Sequence, residues 1–329
     1  MQKIIFGVIL PHCQLFGGIR RFFELGEIFV REGHEMIILT PEGKAPAWFD
    51  SSCKIDKLEN IGQYSFSALF TTEPLFLDSL LKGNAKNKIF YHVGPRASLK
   101  DILKHKEVTV FVNSTNMLLF DKKKYGIDAV RAFGGVHIPA DIKIIDKNKE
   151  PFVIMCYGRL SRRGKGTHIV VKAAEKLYKK GYNIKLLLFD SPIDEKSKNL
   201  IQKFTSIVPH EFILNHPVKE NDVLFKKADV FVAVEKKGGW SNTAAEAMAA
   251  GVPVIASNTG TRDFVIHNKT GLKVFRHSYF VANALIKLIN DIQLRQKLAT
   301  NGREKMKDFS WEQLAHYIIE YVKDRPSAI

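Results

Sequence analysis

The sequence predicts an α/β protein with two successive domains, each built on a doubly wound parallel sheet. Short apolar runs alternate with amphipathic segments that end at glycine, as strands and helices do in βαβ units. The alternation stops at residues 134–151, which are rich in Gly, Pro and charge, and then begins again. The length of 329 residues also favours about two domains.

The first half starts with a predicted strand at residues 3–10 and a turn-rich loop at 11–18. A helix is predicted at 20–32, where apolar residues recur at helical spacing, and Gly33 ends it. A strand at 35–40 completes a βαβ unit. Further strands are predicted at residues 66–71, 88–92 and 108–113.

The second half repeats this order, and two of its helices end at Gly181 and Gly251. Strands are predicted at residues 152–157, 184–189, 212–214, 230–234 and 253–256. Helices are predicted at residues 167–180, 194–208, 220–228, 243–250, 279–306 and 311–322. We therefore take residues 1–145 as one domain and 151–311 as the other, with a linker between them.

Composition argues against several classes of protein. A chain with 45% hydrophobic residues is too apolar to be disordered. Cys13, Cys53 and Cys156 are isolated, which argues against a disulfide scaffold and favours a reducing, cytoplasmic location. No run approaches the ~20 apolar residues of a membrane span. The net charge of +16 attracts anions, namely nucleotides, nucleic acid or acidic membranes.

Ligands of doubly wound sheets bind beyond the carboxyl ends of the strands. Function is therefore expected in the loops at residues 11–19, 158–166 and 235–243. In the first of these loops, Gly17 and Gly18 precede a helix and permit a ligand to approach the backbone closely. A plain tight turn explains the same two glycines.

The loop at residues 158–166 reads Gly-Arg-Leu-Ser-Arg-Arg-Gly-Lys-Gly and opens a helix. Three arginines and a lysine at a helix amino terminus make an anion site suited to a diphosphate. The loop is not a P-loop, because five residues separate Gly158 from Gly164 and Gly166 stands where a P-loop has Ser or Thr. A solvated basic loop is the alternative interpretation.

The third loop leads from Gly238 into an Ala-rich helix. Thr243 and Glu246 have the spacing of a capping box, in which Glu246 only caps the helix. Alternatively, the first-turn N–H groups hold a phosphate and Glu246 accepts hydrogen bonds from ribose hydroxyls. The spacing leaves both interpretations open.

Taken together, these segments resemble the GT-B glycosyltransferases, most closely the retaining glycosyltransferase family 4. The segments that carry the resemblance are Gly17-Gly18 through Glu35, Gly158-Arg159-Leu160 with Lys165-Gly166, Glu246-Ala247-Met248-Ala249 with Gly251-Val252-Pro253-Val254-Ile255, Asn268-Lys269-Thr270-Gly271, and Phe309-Ser310-Trp311. The likeness spans essentially the whole chain. It implies two Rossmann-like domains facing a central cleft, with a C-terminal helix at residues 312–329 that crosses back to the first domain.

The resemblance also implies roles for the matching residues. Arg159 and Lys165 match the pair that binds the donor diphosphate and stabilises the departing nucleotide. Glu246 matches the second Glu of the family's Glu-x7-Glu motif, which holds the donor ribose. The positions where backbone amides meet the donor are matched by Ser241, Asn242 and Thr243. The loop glycines near the donor phosphates and sugar are matched by Gly17 and Gly18.

Two further positions concern the donor sugar. His92 follows a predicted strand, at a place where family members often have a His that touches the donor sugar, so it is a third catalytic candidate beside a structural alternative. The first Glu of the motif should stand at donor-site position 238, which is Gly238 here. Glu235 lies three residues earlier and is the nearest carboxylate in the sequence. This departure leaves the donor sugar open.

The expected activity is transfer of a hexosyl group from a nucleotide diphospho-sugar to a glycan or lipid-linked acceptor, with retention. No cofactor and no metal are expected, although Asp190 and Asp194 follow a strand as metal ligands could. Basic residues of the first half suit peripheral contact with an anionic membrane. These residues are Arg20, Arg21, Lys86, Lys88, Lys122, Lys123 and Lys124.

Two other functions remain open at this stage. A protein that binds the donor without transferring it is suggested by Gly238. A nucleic-acid-binding protein is suggested by the net charge alone, but no helix-turn-helix or RNP-type motif supports it, so no nucleic acid partner is expected.

Overall fold

The computed structural model describes residues 3–146, 150–192 and 194–324. The chain divides into two compact units. Unit 1 comprises Met1–Gly135 and Phe309–Ile329, and unit 2 comprises Val136–Asp308. The predicted linker at 134–151 and the predicted helix at 312–329 both include residues outside the described ranges.

Unit 1 contains a parallel sheet of seven strands within the described ranges. The strands are β1 (Ile5–Ile9), β2 (Glu35–Thr40), β3 (Lys54–Lys57), β4 (Phe66–Thr71), β5 (Ala85–His92), β6 (Val108–Val112) and β7 (Val130–Arg131). They lie in the order β3-β2-β1-β4-β5-β6-β7. The register pairs His92 with Val112, so the carboxyl ends of β5 and β6 lie side by side.

Unit 2 contains a second parallel sheet, with six strands in the part of the chain that is described. The strands are β8 (Phe152–Tyr157), β9 (Ile184–Asp190), β10 (His210–Leu214), β11 (Val230–Ala233), β12 (Val254–Ala256) and β13 (Leu272–Lys273). Their order is β10-β9-β8-β11-β12-β13. The order reverses at β8, which pairs with β9 on one side and β11 on the other. Such a switch point is where doubly wound sheets bind their ligands.

Helices connect the strands. The α-helices of the described residues are α1 (Gly17–Arg31), α2 (Leu77–Lys82), α3 (Thr115–Tyr125), α4 (Thr167–Tyr178), α5 (Glu195–Gln202), α6 (Asn221–Lys226), α7 (Asn242–Ala249), α8 (Ser278–Asn290), α9 (Ile292–Lys307) and α10 (Trp311–Lys323). Short 3-10 turns occur at Leu58–Gln63, Pro74–Phe76, Ile102–Lys104, Arg163–Lys165 and Val218–Glu220. Among the described helices, none has the length and apolar character needed to cross a bilayer.

The C-terminal helix α10 completes the core of unit 1. It packs beside α1 on one face of the sheet, where Phe6 of β1 stacks on Phe29 of α1 with ring centroids 4.0 Å apart. Trp311 and Ile318 of α10 are buried in the same apolar cluster. Because both faces of a parallel sheet are covered, its strands are apolar almost throughout. This pattern made β1, β2, β4, β5 and β6 recognisable in the sequence.

Residues 139–143 of the segment expected to be a linker pack on the rest of unit 2. The Lys143 N–H donates to the carbonyl of Ala250 at 3.0 Å, and Lys143 Nζ lies 3.2 Å from an oxygen of Asp229. Arg303 donates to the carbonyl of Pro139 at 2.7 Å. Charge and proline content alone did not reveal these contacts, because each joins the segment to a residue distant in sequence.

Several predicted elements differ from the structure. The helix predicted at 279–306 is two helices, because the side chain of Asp291 accepts a hydrogen bond from the Leu294 N–H and so caps α9. The helix predicted at 194–208 is shorter, with Asp194 as its cap. The prediction missed α3, whose apolar residues form no single stripe. It also missed α2 and the short strands β3, β7 and β13.

Replacing Ile318 with alanine tests the role of α10. Ile318 is fully buried in the core of unit 1, so Ile318→Ala should reduce the free energy of unfolding by about 2–5 kcal/mol. Glu320 is exposed on the same helix, and Glu320→Ala should change it by less than about 0.5 kcal/mol. Urea unfolding followed by circular dichroism measures both. Equal losses would contradict the assigned packing.

Candidate functional site

The loop between β8 and α4 lies at the switch point of the unit 2 sheet and is held by main-chain contacts. The Lys236 N–H donates to the carbonyl of Gly164 at 2.8 Å. The Arg276 guanidinium donates to the carbonyl of Arg163 at 2.7 Å and, through Nε, to that of Val234 at 2.9 Å. A loop held at several points keeps its cations in place before any ligand binds.

Gly166 is the N-cap residue of α4, where the loop ends and the helix begins. Its φ of 87° lies in the left-handed region, and a Cβ there would stand 2.4 Å from the carbonyl oxygen of Val234. No side chain caps the amino terminus of α4, while the Thr167 hydroxyl donates to the carbonyl of Tyr157 at 2.8 Å. The helix therefore presents first-turn N–H groups that no capping side chain occupies.

Arg159 is paired with a buried carboxylate. Its Nε donates to Asp190 Oδ1 at 2.7 Å, and a terminal nitrogen donates to the carbonyl of Ser191 at 3.1 Å. Its guanidinium carbon lies 5.3 Å from the centre of the Tyr157 ring. Burial lowers the pKa of Arg159, but the neighbouring Tyr157 and Asp190 outweigh that effect and raise its pKa. The guanidinium is thus held charged and in one orientation.

Tyr157 is enclosed between charged groups at the end of β8. Burial raises the pKa of its phenol, and the nearby carboxylate of Asp190 raises that pKa further. The phenol therefore stays neutral throughout the physiological range. A neutral ring accepts cations over its face, which suits the two basic side chains beside it.

Lys165 forms the second ion pair of the site. Its Nζ lies 2.7 Å from Glu235 Oε2 and 5.5 Å from the centre of the Tyr157 ring. The Ser241 hydroxyl donates to Glu235 Oε1 at 3.3 Å, so both carboxylate oxygens are engaged. Arg159 and Lys165 thus approach the same aromatic ring, and each is paired with its own carboxylate.

Gly238 lies against this second pair. A Cβ at position 238 would be 3.5 Å from Glu235 Oε2. The Glu235 carboxylate therefore reaches the space next to the position where the family's first Glu was expected. Sequence spacing could not show this, because the separation of two residues along the chain does not reveal how the loop between them folds.

The amino end of α7 adjoins the same network through Ser241. Ser241 is the N-cap residue, its side chain makes no capping hydrogen bond, and its N–H donates to the carbonyl of Gly260 at 2.8 Å. Asn242 begins the helix and Thr243 lies in its first turn, so the capping-box interpretation is wrong. Glu246 is buried, and its Oε2 accepts a hydrogen bond from Asn221 at 3.1 Å.

The two aspartates considered as metal ligands have other partners. Asp190 is paired with Arg159, and Asp194 Oδ1 accepts a hydrogen bond from the Ser197 N–H at 2.7 Å. Over the described residues, no three His, Cys, Asp or Glu side chains are grouped as metal ligands would be.

The remaining candidates lie in unit 1. Gly17 and Gly18 begin α1, where no side chain caps the helix. His92 ends β5 and is completely buried, with its Nδ1 2.9 Å from Oδ1 of Asp121, which is also fully buried on α3. Among the described residues, the His92 Nε2 has no hydrogen-bond partner. Sequence reasoning missed Asp121 because α3 itself was missed.

Two basic residues of unit 1 are not on its surface, contrary to the expectation that they belong to a basic face. Arg21 is buried, donates to the Tyr91 hydroxyl at 3.0 Å and lies over the rings of Tyr91 and Trp311. Arg20 pairs with Glu24 at 2.8 Å. The helix places both side chains in the interior of unit 1, which composition does not reveal.

Comparison with known proteins identifies the family. Residues 137–305, just over half of the chain, match the family model of the group 1 glycosyl transferases. The chain belongs to the group 1 glycosyltransferases. It is 27% identical over 277 residues to the capsular polysaccharide biosynthesis glycosyltransferase CapM of Staphylococcus aureus, a match that covers 82% of this chain and 69% of that relative. Matches to other relatives, such as a D-inositol 3-phosphate glycosyltransferase of Paenarthrobacter aurescens, span less than half of the relative's length, 46% in this case.

Solved structures share the fold of this glycosyltransferase. Sucrose-phosphate synthase from Thermosynechococcus elongatus aligns with a TM-score of 0.79 at 19% identity, covering 98% of both chains. HepE from Anabaena, solved in complex with UDP-glucose, aligns with a TM-score of 0.75 at 14% identity over 98% of this chain and 100% of that one. The expected GT-B fold class, with two parallel-sheet α/β domains, is confirmed.

The strained turn at Gly166 gives one prediction for this glycosyltransferase. Gly166→Ala should reduce the free energy of unfolding by about 1–3 kcal/mol, because a Cβ meets the Val234 carbonyl at a left-handed φ. Gly164 lies in the same loop with nothing within 4 Å of its Cβ position. Gly164→Ala should stay within about 0.5 kcal/mol of wild type. Thermal unfolding compares the two variants, and a neutral Gly166→Ala would refute the assigned turn.

The buried His92–Asp121 pair gives another prediction. Asp121→Ala leaves the His92 Nδ1 proton without an acceptor in a dry environment, at a cost of about 1–3 kcal/mol in unfolding free energy. Asp121→Asn keeps an acceptor oxygen of the same shape and should lose clearly less. Urea titration of both variants measures the difference. Equal losses would contradict this prediction, because Asn keeps both the volume and an acceptor oxygen; they would mean that the negative charge of Asp121 carries the stabilisation.

Proposed function

We propose that this glycosyltransferase moves a hexosyl group from a nucleotide diphospho-sugar to a glycan or lipid-linked acceptor, with retention and without a metal. The observation that carries the proposal is the pair of oriented cations, Arg159 and Lys165, at the carboxyl edge of the unit 2 sheet. Their network joins the amino ends of α4 and α7 through Gly166 and Ser241.

Charge at this edge suits a diphosphate. Two helix amino termini without capping side chains add partial positive charge to that of Arg159 and Lys165. As the bond from the sugar to the diphosphate breaks, negative charge collects on the leaving phosphate. Donors already fixed in place stabilise that charge without reorganising, which is the largest source of catalysis in many enzymes.

Glu235, in this proposal, supplies the carboxylate that Gly238 does not. It pairs with Lys165, whose side chain is partly exposed, and so keeps that cation in one orientation. An incoming diphosphate then shares Lys165 with Glu235. With glycine at 238 no side chain stands against that carboxylate, whereas a Cβ there would be in van der Waals contact with Glu235 Oε2 at 3.5 Å.

Glu246 is proposed to bind the donor ribose. Glu246 lies in the second turn of α7. Its carboxylate is oriented by a hydrogen bond from Asn221 at the start of α6. A fixed carboxylate accepts hydrogen bonds from two neighbouring hydroxyls, as acidic residues do on ribose in other doubly wound folds. Retention is proposed from the family resemblance, with attack on the same face from which the phosphate leaves.

The relatives support the choice of substrates. CapM is named for capsular polysaccharide biosynthesis, and HepE was solved with UDP-glucose. A sugar nucleotide as donor and a cell-envelope glycan or its lipid-linked precursor as acceptor agree with both. Work at the cytoplasmic face of the membrane would follow from such an acceptor.

A second function, donor binding without transfer, is favoured by one observation, the glycine at position 238. The two functions differ in product formation. Release of the nucleoside diphosphate in the presence of an acceptor extract supports transfer. Saturable binding without any release supports the second function.

Thermal shift against UDP, GDP, ADP and dTDP, with and without sugars, tests the donor site. A nucleotide at 100-fold excess over its Kd should stabilise the protein by about 2.7 kcal/mol, or several degrees. Arg159→Ala and Lys165→Ala should abolish the shift because each removes a cation from the network. Arg162→Ala removes an equal charge from an exposed position of the same loop. This variant should keep most of the nucleotide-induced thermal shift.

The pattern across variants decides the outcome. If all three variants lost the thermal shift, nucleotides would be held by general charge attraction and not by a specific binding site. No response to any nucleotide, together with salt-sensitive binding to DNA or RNA, would refute the proposed function.

A further inference from the structure

Unit 2 carries an exposed cluster of aromatic rings that its core does not use. Phe275, Tyr279 and Phe280 are 75%, 55% and 41% exposed. The ring of Phe280 lies 5.2 Å from that of Phe275, 5.4 Å from that of Tyr279 and 6.3 Å from that of His277, measured between centroids. We call these four residues the aromatic knob. A contiguous exposed apolar surface of this kind marks an interaction site.

The knob lies in a segment without negative charge. The 27 residues 264–290 contain no Asp or Glu but four Lys or Arg residues. Arg276, between Phe275 and His277, donates to the carbonyl of Arg163, which places the knob beside the exposed Arg162 and Arg163. The surface is therefore apolar at its centre and basic at its edge.

The field of these cations acts on a neighbouring side chain. Burial lowers the pKa of His168, and the charges of Arg163 and Arg276 lower it further. Positive charge is thus concentrated here in the folded protein and not only in the sequence. An acidic partner would be attracted to this side of unit 2.

The geometry of the rings distinguishes between kinds of acidic partner. Phe280 meets Tyr279 at an interplanar angle of 79° and Phe275 at 59°. Rings that lean on one another in this way offer edges and a compact apolar volume, whereas single-stranded nucleic acid binds to open ring faces on which bases stack. Aromatic rings flanked by arginine are the side chains that settle at the boundary between lipid headgroups and acyl chains.

We propose that the aromatic knob and its flanking arginines dock unit 2 on an anionic lipid bilayer. Phe275 and Phe280 enter the headgroup boundary, Tyr279 keeps its hydroxyl at the polar side, and Arg162, Arg163 and Arg276 bind lipid phosphates. The inference deepens the proposed function, since it gives a lipid-linked acceptor a surface to meet. It does not need the donor or the transfer reaction.

Vesicle sedimentation of the full chain tests the proposal. The protein should sediment with phosphatidylglycerol vesicles, bind phosphatidylcholine vesicles far less, and lose binding as salt rises. Phe275→Ser combined with Phe280→Ser should weaken binding at least about tenfold, because two rings no longer leave water. Leu75→Ser is the matched control, since Leu75 is 84% exposed in unit 1 and should not matter.

Other surfaces and partners are separated by further variants. If Lys122→Ala, Lys123→Ala and Lys124→Ala together abolish vesicle binding while the double serine variant retains it, unit 1 is the docking surface and the proposal is wrong. Equal binding to both lipids also overturns the proposal. So does a double serine variant that loses binding to single-stranded RNA but still binds vesicles. Unchanged melting temperatures verify that the exposed substitutions leave the fold intact.

The assay also separates this inference from the proposed function. It contains no nucleotide and no sugar, so failure of the donor site leaves vesicle binding unaffected. Conversely, the double serine variant should keep its nucleotide-induced thermal shift, because neither ring contacts Arg159 or Lys165 in the described network.

Discussion

Two cations paired with two buried carboxylates around one aromatic ring organise the carboxyl edge of the unit 2 sheet. Arg159 is held by Asp190, Lys165 by Glu235, and both cations lie within 5.5 Å of the Tyr157 ring centre. A buried charge without a partner costs several kcal/mol, so these pairings are what allow cations to be kept in a partly dry site. They also fix long side chains that would otherwise sample many rotamers.

The parallel sheet is what brings these partners together. Tyr157 ends β8, Asp190 ends β9, and Glu235 follows β11, and these three strands are neighbours in the sheet. Because parallel strands end at the same edge, residues far apart in sequence converge there without any long-range motif. The change in strand order at β8 leaves the crevice in which such folds bind ligands.

The positive charge of the chain is distributed unevenly. In unit 1, the side chains of Arg20 and Arg21 are buried and bonded to neighbouring residues. In unit 2, Arg159 and Lys165 are paired with carboxylates. The charge available to a large acidic partner therefore lies on exposed side chains, such as Arg162 and Arg163 beside residues 264–290 and Lys122, Lys123 and Lys124 on α3. A net charge of +16 indicated attraction to anions, but the direction of each side chain decides where that attraction acts.

The sequence by itself determined the two α/β units, because buried parallel strands are apolar runs and the helices between them end at glycine. It also predicted the loops in which function is expected. It also made Arg159, Lys165 and Glu246 candidates, through their match to motifs of the family that the sequence resembles. Only the tertiary structure decided that Glu235 lies beside Gly238, that Asp121 pairs with His92 and that Arg21 is buried. A local sequence pattern reveals only the periodicity of one segment of the chain. These contacts join segments that meet only after the sheets have formed.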